Sequence, residues 1–383
     1  MSTRPVYLDF AATTPLDVRV AELVSRLMVE EYGNAGSRTH AWGTEAKRYV
    51  DRARANVAGV VDAEPREVVF TSGATEANNL AILGLEAFGR EQGRRHIIST
   101  EIEHKAVLEP LAEMQRRGFD VSLVRAGTSG RIDPGDVIRE LRPDTLLVSV
   151  MHVNNETGII QPIVELCDAL KDHSTFFHVD AAQGYGRDSS PLTNKRIDMI
   201  SVSGHKIHAP KGVGALIARY RRFSRTPLTP IMFGGGHEAG LRPGTLPVAQ
   251  LAGLGLAAEL SQTEAEERVR ACKDVGVRVL SMLQSSGFEL VGQQAHRIPH
   301  IVAAAHPDLD SEALMLMVRD SIAISNGAAC SSAKYAVSHV YTSVGLGVTF
   351  AERIIRLSWG HMTTLDDSLL EAVGMQLTGA RIV

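Results

Sequence analysis

The sequence predicts an α/β protein with a large domain built on a mostly parallel sheet and a second, smaller α/β domain. Three observations carry this. Short apolar runs alternate with amphipathic stretches from about residue 68 to 217. The texture changes after Gly234-Gly235-Gly236 and Arg242-Pro243-Gly244. A chain of 383 residues also exceeds what one ordinary core serves.

The strand candidates are Val68–Thr71, His96–Thr100, Val121–Val124, Thr145–Val150, Phe176–Val179, Ile197–Ser203 and Gly214–Ala218. Each is a short apolar run, the pattern of a strand covered on both faces. Between them, Ala77–Gly89, Val107–Arg117 and Ile163–Leu170 carry apolar residues at helical spacing. A long helical stretch is expected from Val248 to about Leu283, followed by short strands and helices. The expected boundaries are 16–254 for the large domain, and 1–15 with 255–383 for the small one.

Composition narrows the function classes. A formal charge of −4 gives no general attraction to nucleic acid or to an anionic membrane, so direct binding to either is not expected. Arg219-Tyr220-Arg221-Arg222, with Arg225 beyond, is a local exception that reads as a solvated loop or a docking patch. Met1 to Phe10 has no apolar core of a signal peptide, and no stretch of about 18 uninterrupted apolar residues occurs. The three cysteines, Cys167, Cys272 and Cys330, form neither a disulfide framework nor a CxxC metal pair. A cytoplasmic protein without a metal site is the expectation.

In an open parallel sheet the ligand sits beyond the carboxyl ends of the strands. Five successive runs end there in polar groups on small-residue loops: Ser72-Gly73-Ala74-Thr75, Glu101-Ile102-Glu103-His104, Asn154-Asn155-Glu156, Asp180-Ala181-Ala182-Gln183 and Ser203-Gly204-His205-Lys206. The first reads as an anion seat at a helix N-terminus, or as an ordinary cap. Asp180 reads as a helix cap, or as the carboxylate that keeps a pyridine nitrogen protonated. Gln183 can donate to a cofactor's phenolic oxygen, and His104 can stack on its ring. Lys206 reads as an exposed turn lysine or as a Schiff-base lysine. No Walker pattern or dinucleotide fingerprint is present.

Asp180-Ala-Ala-Gln183 with Ser203-Gly204-His205-Lys206 resembles the pyridoxal phosphate (PLP)-dependent class V aminotransferase superfamily, specifically the cysteine desulfurases. Tyr7–Pro15, Thr71–Glu76, Met151–Gly158, Gly234–Glu238 and Gly244–Val248 resemble that family too, so the similarity runs from Tyr7 to about Thr363. The resemblance implies a type I PLP-dependent transferase fold, pyridoxal 5'-phosphate as cofactor, L-cysteine as substrate and a homodimer. It implies that Lys206 binds the cofactor covalently, Asp180 pairs with its ring nitrogen, Gln183 contacts the phenolic oxygen and His104 covers the ring. Ala74, Thr75, Ser203 and His205 would hold the phosphate, with Thr245 reaching in from the second subunit. Asn155 and Arg356 would bind the substrate amino acid.

Cys330 lies in the small-residue run Ser325-Asn326-Gly327-Ala328-Ala329-Cys330-Ser331-Ser332-Ala333, which matches the family's persulfide cysteine. Lys334 or a protonated His104 would activate its thiol. The implied reaction converts L-cysteine to L-alanine and leaves sulfur on Cys330 for an acceptor protein. Asn326 and Ala328 depart from the housekeeping pattern Ser-Ser-Gly-Ser-Ala-Cys, as do His208-Ala209, where Tyr-Gly is usual, and Phe10. Gly33–His40, Leu241–Gly244 and His361-Met362-Thr363 look more like the desulfurases of DNA phosphorothioation. The alternatives are sulfur supply to iron-sulfur clusters or tRNA thiolation, a selenocysteine lyase, or a related PLP aminotransferase.

Overall fold

The computed structural model describes residues 4–221, 223–292, 294–326 and 338–379. Its larger sheet has seven strands in the order Val68–Thr71, Gly214–Ala218, Met199–Ser203, Phe176–Asp180, Thr145–Met151, His96–Thr100 and Asp120–Val124. Gly214–Ala218 runs antiparallel to both neighbours, and the other pairings are parallel. Adjacent residues go to opposite faces. Val148, Phe177 and Ile200 join the core on one side, and Leu147, Phe176 and Met199 the core on the other. Burial on both faces is why these strands read as continuous apolar runs.

Two expected helices are each divided. The Ala77–Gly89 stretch becomes Ala74–Leu83 and Glu86–Glu91. Gly84 stands at the break, where the segment around Thr229 docks: the Thr229 N–H donates to the Gly84 carbonyl at 2.8 Å, and a Cβ on Gly84 would lie 3.0 Å from the Thr229 oxygen. The Val248–Leu283 stretch becomes Val248–Thr263 and Ala265–Ser285. Glu264 at that joint accepts from Arg19 and Arg268, a tertiary pairing without a local breaker in the sequence.

A four-stranded antiparallel sheet orders Glu289–Leu290, Ile301–Ala305, Ile354–Ser358 and Ser325–Asn326. Ile355 and Leu357 face the core shared with Val275 and Val279 of the Ala265–Ser285 helix. Arg356, between them, therefore points the other way. The N-terminal segment connects the two sheets. Val6–Tyr7 pairs with Ile322–Ala323, Asp9 bridges to Ser358, and the Thr14 N–H donates to the His205 carbonyl at 3.0 Å.

The arginine cluster is largely structural rather than a free basic face. Arg219 is buried and donates to the carbonyls of Val61 and Leu192 at 2.6 and 2.9 Å. Arg221 pairs with Asp198 at 2.6 Å. Backbone oxygens of the neighbouring loops, those of Val61, Leu192, Ser174 and Thr175 among them, take up these guanidiniums. Among the described residues no helix is long and apolar enough to cross a membrane.

Candidate active site

The carboxyl ends of the large sheet open into a cleft of about 660 Å³, a size that suits a cofactor with a small substrate. Ala74, Thr75, His104, Asn155, Asp180, Gln183, Ser203, His205, Lys206 and Arg356 all line it. The structure thus brings together ten of the expected site residues from both sheets. Thr245 does not line the cleft of its own chain and is exposed. Cys330 and Lys334 lie outside the described residues.

Lys206 occupies a one-turn helix, Gly204–Lys206, directly after its strand. Its Nζ donates to the carbonyls of Ala11 and Ala12 at 2.5 and 2.7 Å. The N-terminal segment therefore forms one wall of the cleft. The Asp180 carboxylate caps the turn that follows its strand and also takes a bond from a neighbouring helix. One oxygen accepts from the Ala182 N–H at 2.9 Å, closing the turn, while the other accepts from Asn78 Nδ2 at 2.8 Å.

At the other end, the Ala74–Leu83 helix starts from Gly73 without a side-chain cap. Its first N–H groups therefore carry no side-chain cap and face the kind of site that suits an anion. Ser203, His205 and Lys211 stand around this end. Burial, with the charges of Lys206 and Lys211, pushes His205 down to about 4, so it is neutral, and its Nδ1 meets Thr13 Oγ1 at 3.1 Å. Arg242 reaches Glu76 at 3.0 Å, and Glu76 accepts from the Ser72 N–H, fastening the Arg242–Thr245 turn beside this helix start.

His104 caps the Lys105–Arg116 helix, its Nδ1 accepting from the Ala106 N–H at 3.1 Å. Burial lowers its pKa, against the Asp180 charge that raises it. The imidazole is therefore neutral at pH 7 with its proton on Nε2. Burial thus works against a protonated His104, one of the two expected activators of the thiol, by disfavouring the charged ring.

Arg356 enters from the second sheet. Its guanidinium pairs with Asp9 at 2.7 Å and donates to the Asn155 carbonyl at 3.0 Å, while its Nε has no partner among the described residues. That orphan donor beside a cleft suits an incoming carboxylate. His208, one of the sequence departures, lies behind Lys206 and meets the His361 ring at 4.7 Å between centroids.

Sequence reasoning did not single out Asn78, Asp9, the Ala11 and Ala12 carbonyls, or Glu103. Asn78 is fully buried, but the Ala74–Leu83 helix also carries Thr75, Glu76 and Asn79, so the sequence does not mark it out. The others need the tertiary fold too. The fully buried Glu103 carboxyl accepts from Thr100 Oγ1 and the Met151 N–H, both at 2.8 Å. Burial raises it to about 8. The folded chain thus keeps this proton where the unfolded chain, with an ordinary carboxyl, loses it, so ionisation lowers stability as pH rises from about 4.5 to 8. E103Q keeps the acceptor and removes the titration. Its melting temperature should match the parent near pH 5 and exceed it by several degrees at pH 8; an equal difference at both pH values would show that Glu103 is not protonated in the fold.

Comparison with known proteins agrees with this architecture. The aminotransferase class-V family model matches residues 6–368. A mitochondrial cysteine desulfurase of Eremothecium gossypii is 42% identical over 363 residues, covering 94% of this chain and 73% of the relative. The cysteine desulfurase IscS of Stutzerimonas stutzeri is 41% identical over 368 residues, 95% of this chain and 90% of that one. Among solved structures, DndA from Streptomyces lividans is 51% identical with a TM-score of 0.81, covering 92% of this chain and 99% of DndA. SspA in complex with cysteine is 33% identical with a TM-score of 0.80, covering 94% and 100%. With fold, cleft and sequence in agreement over nearly its whole length, the chain belongs to the class-V aminotransferase family.

Proposed function

We propose that the protein is a PLP-dependent cysteine desulfurase that converts L-cysteine to L-alanine and takes the sulfur onto Cys330. The observation that carries this reading is one cleft holding the Lys206 amine, the Asp180 carboxylate and an under-used Arg356 guanidinium. The donor set fits the cofactor. An uncapped helix start with Ser203 and His205 matches a phosphate, a buried carboxylate matches a ring nitrogen, and a lysine amine matches an aldehyde. When bound, PLP supplies an electron sink that weakens bonds at the substrate's α- and β-carbons.

The chain's own residues then have separate tasks. Asp180, braced by Asn78 and the Ala182 N–H, would pair with the ring nitrogen. His104, which lines the cleft, would cover the ring face and offer an Nε2–H donor. Arg356, held by Asp9, receives the substrate carboxylate, with Asn155 beside it. Lys206 moves protons at the substrate carbon, and the Cys330 thiolate accepts the sulfur. R356L should raise KM for L-cysteine about tenfold to a hundredfold with a smaller change in kcat, the loss of one charged hydrogen-bonding partner. Steady-state alanine formation reads this split, and an unchanged KM would remove Arg356 from the substrate site.

The division at 16–254 against 1–15 with 255–383, and a homodimer in which Thr245 completes the neighbouring phosphate seat, belong to the same reading. Exposure of Thr245, on a turn tied to Glu76, supports it. The acceptor is a protein that forwards sulfur to DNA phosphorothioation. The motifs at 33–40, 241–244 and 361–363 support this branch, and the 51% identity with DndA stands above the 41% with the Stutzerimonas IscS. The test is incubation of the PLP-loaded protein with L-cysteine, measuring alanine and mapping the persulfide by peptide mass. Alanine with a persulfide on the Cys330 peptide is expected. Amino transfer to a keto acid without persulfide would replace the reading by an aminotransferase.

A further inference from the structure

Arg187 lies one turn beyond Gln183, behind the cleft. Its guanidinium reaches three acceptors from three parts of the chain. Nη2 donates to the Lys206 carbonyl at 2.6 Å, and Nη1 donates to Gln183 Oε1 at 3.3 Å and to His300 Nε2 at 2.8 Å. His300 directly precedes the Ile301–Ala305 strand of the second sheet. Among the described residues no carboxylate forms an ion pair with Arg187. Burial lowers it to about 10, which leaves it charged at neutral pH. A cation held only by neutral dipoles is costly, and it fixes its acceptors in return.

The consequence falls on Gln183. A guanidinium has donors and no acceptor, so only the carbonyl end of the amide can face it. The NH2 end must turn the other way. One of its hydrogens goes to the Ala11 carbonyl at 2.9 Å, and the second is left for the cleft that Gln183 lines. His300 completes the arrangement only as an acceptor. Burial, with the charges of Arg187 and Arg297, holds it neutral.

We propose that Arg187 is a positioning residue that locks the Gln183 amide with its donor end toward the cofactor's phenolic oxygen and anchors the main chain of Lys206. This rests on the PLP reading above. Without Arg187 only the bond to the Ala11 carbonyl still fixes the amide's direction, and its oxygen loses the partner that keeps it turned from the cofactor.

The test uses R187M, Q183A and the double variant, each prepared as apo-protein and reloaded with PLP. R187M should raise the PLP dissociation constant about tenfold, the scale of one charged hydrogen bond. It should also move the pH midpoint of the bound cofactor's visible absorption upward, because a donor to the oxygen favours its deprotonated form. Q183A should move the midpoint the same way, and the double variant should add little to either single change. Unchanged affinity and midpoint in R187M, with only a lower apo-protein melting temperature, would reduce Arg187 to a structural strut and overturn the proposal. Full additivity with Q183A would overturn it too. If R187M does not fold, R187K reports the same two quantities, with smaller shifts expected because an ammonium serves fewer of the three acceptors. Failure of the PLP reading is distinguishable, since the parent protein itself would then bind no PLP.

Discussion

Lys206→Ala should abolish the visible absorption of lysine-bound PLP and lower alanine formation on the order of 10³-fold or more. The fold should survive, because the main chain around residue 206 does not depend on the side chain. Thr14 bonds the His205 carbonyl, Arg187 the Lys206 carbonyl, and the flanking strands stay paired. What disappears is the amine that sits 2.5 and 2.7 Å from the Ala11 and Ala12 carbonyls at the centre of the cleft. Borohydride treatment followed by peptide mapping checks the result. A reducible link that persists in the variant would assign the covalent lysine elsewhere.

Cys330→Ser should bind PLP and L-cysteine like the parent, yet form alanine on the order of 10³-fold more slowly and carry no persulfide. A serine hydroxyl at neutral pH has almost no anion to offer, whereas a thiol near its ordinary value is partly ionised and far more nucleophilic. Cys167 and Cys272 give the contrast. Burial pushes their thiols up to about 12 and 11, so neither supplies a thiolate. Both belong to apolar cores, Cys167 beside Leu166 and Leu170, and Cys272 beside Val275 and Val279. Cys167→Ser and Cys272→Ser should therefore stay active within about a factor of two, at some cost in melting temperature. Parent-rate turnover by Cys330→Ser would overturn the desulfurase mechanism proposed for this chain.

The strands of the large sheet were the most legible part of the fold. Val68–Thr71, His96–Thr100 and Gly214–Ala218 appear with the bounds their apolar runs suggest, because two-sided burial leaves an uninterrupted hydrophobic signature. The helix breaks at Gly84 and Glu264 were not legible in the same way. One depends on the docking of Thr229 and the other on pairing with Arg19, and neither partner is near in sequence.

The sequence by itself determined that polar groups gather at one edge of a parallel sheet, since strand order and right-handed crossovers bring successive strand ends to the same side. Its motifs, by their resemblance, picked out Lys206, Asp180, His104 and Arg356 as members of one constellation. Only the tertiary structure decided the protonation and direction of these groups. His104 is neutral because burial removes its hydration, and Glu103 is protonated for the same reason. Arg356 is aimed by Asp9, Asp180 is braced by Asn78, and Gln183 is turned by Arg187. The chain separations in these pairs run from 4 residues to 347. A charge's state depends on its dielectric surroundings and nearest partners, and those exist only once distant segments have closed around it.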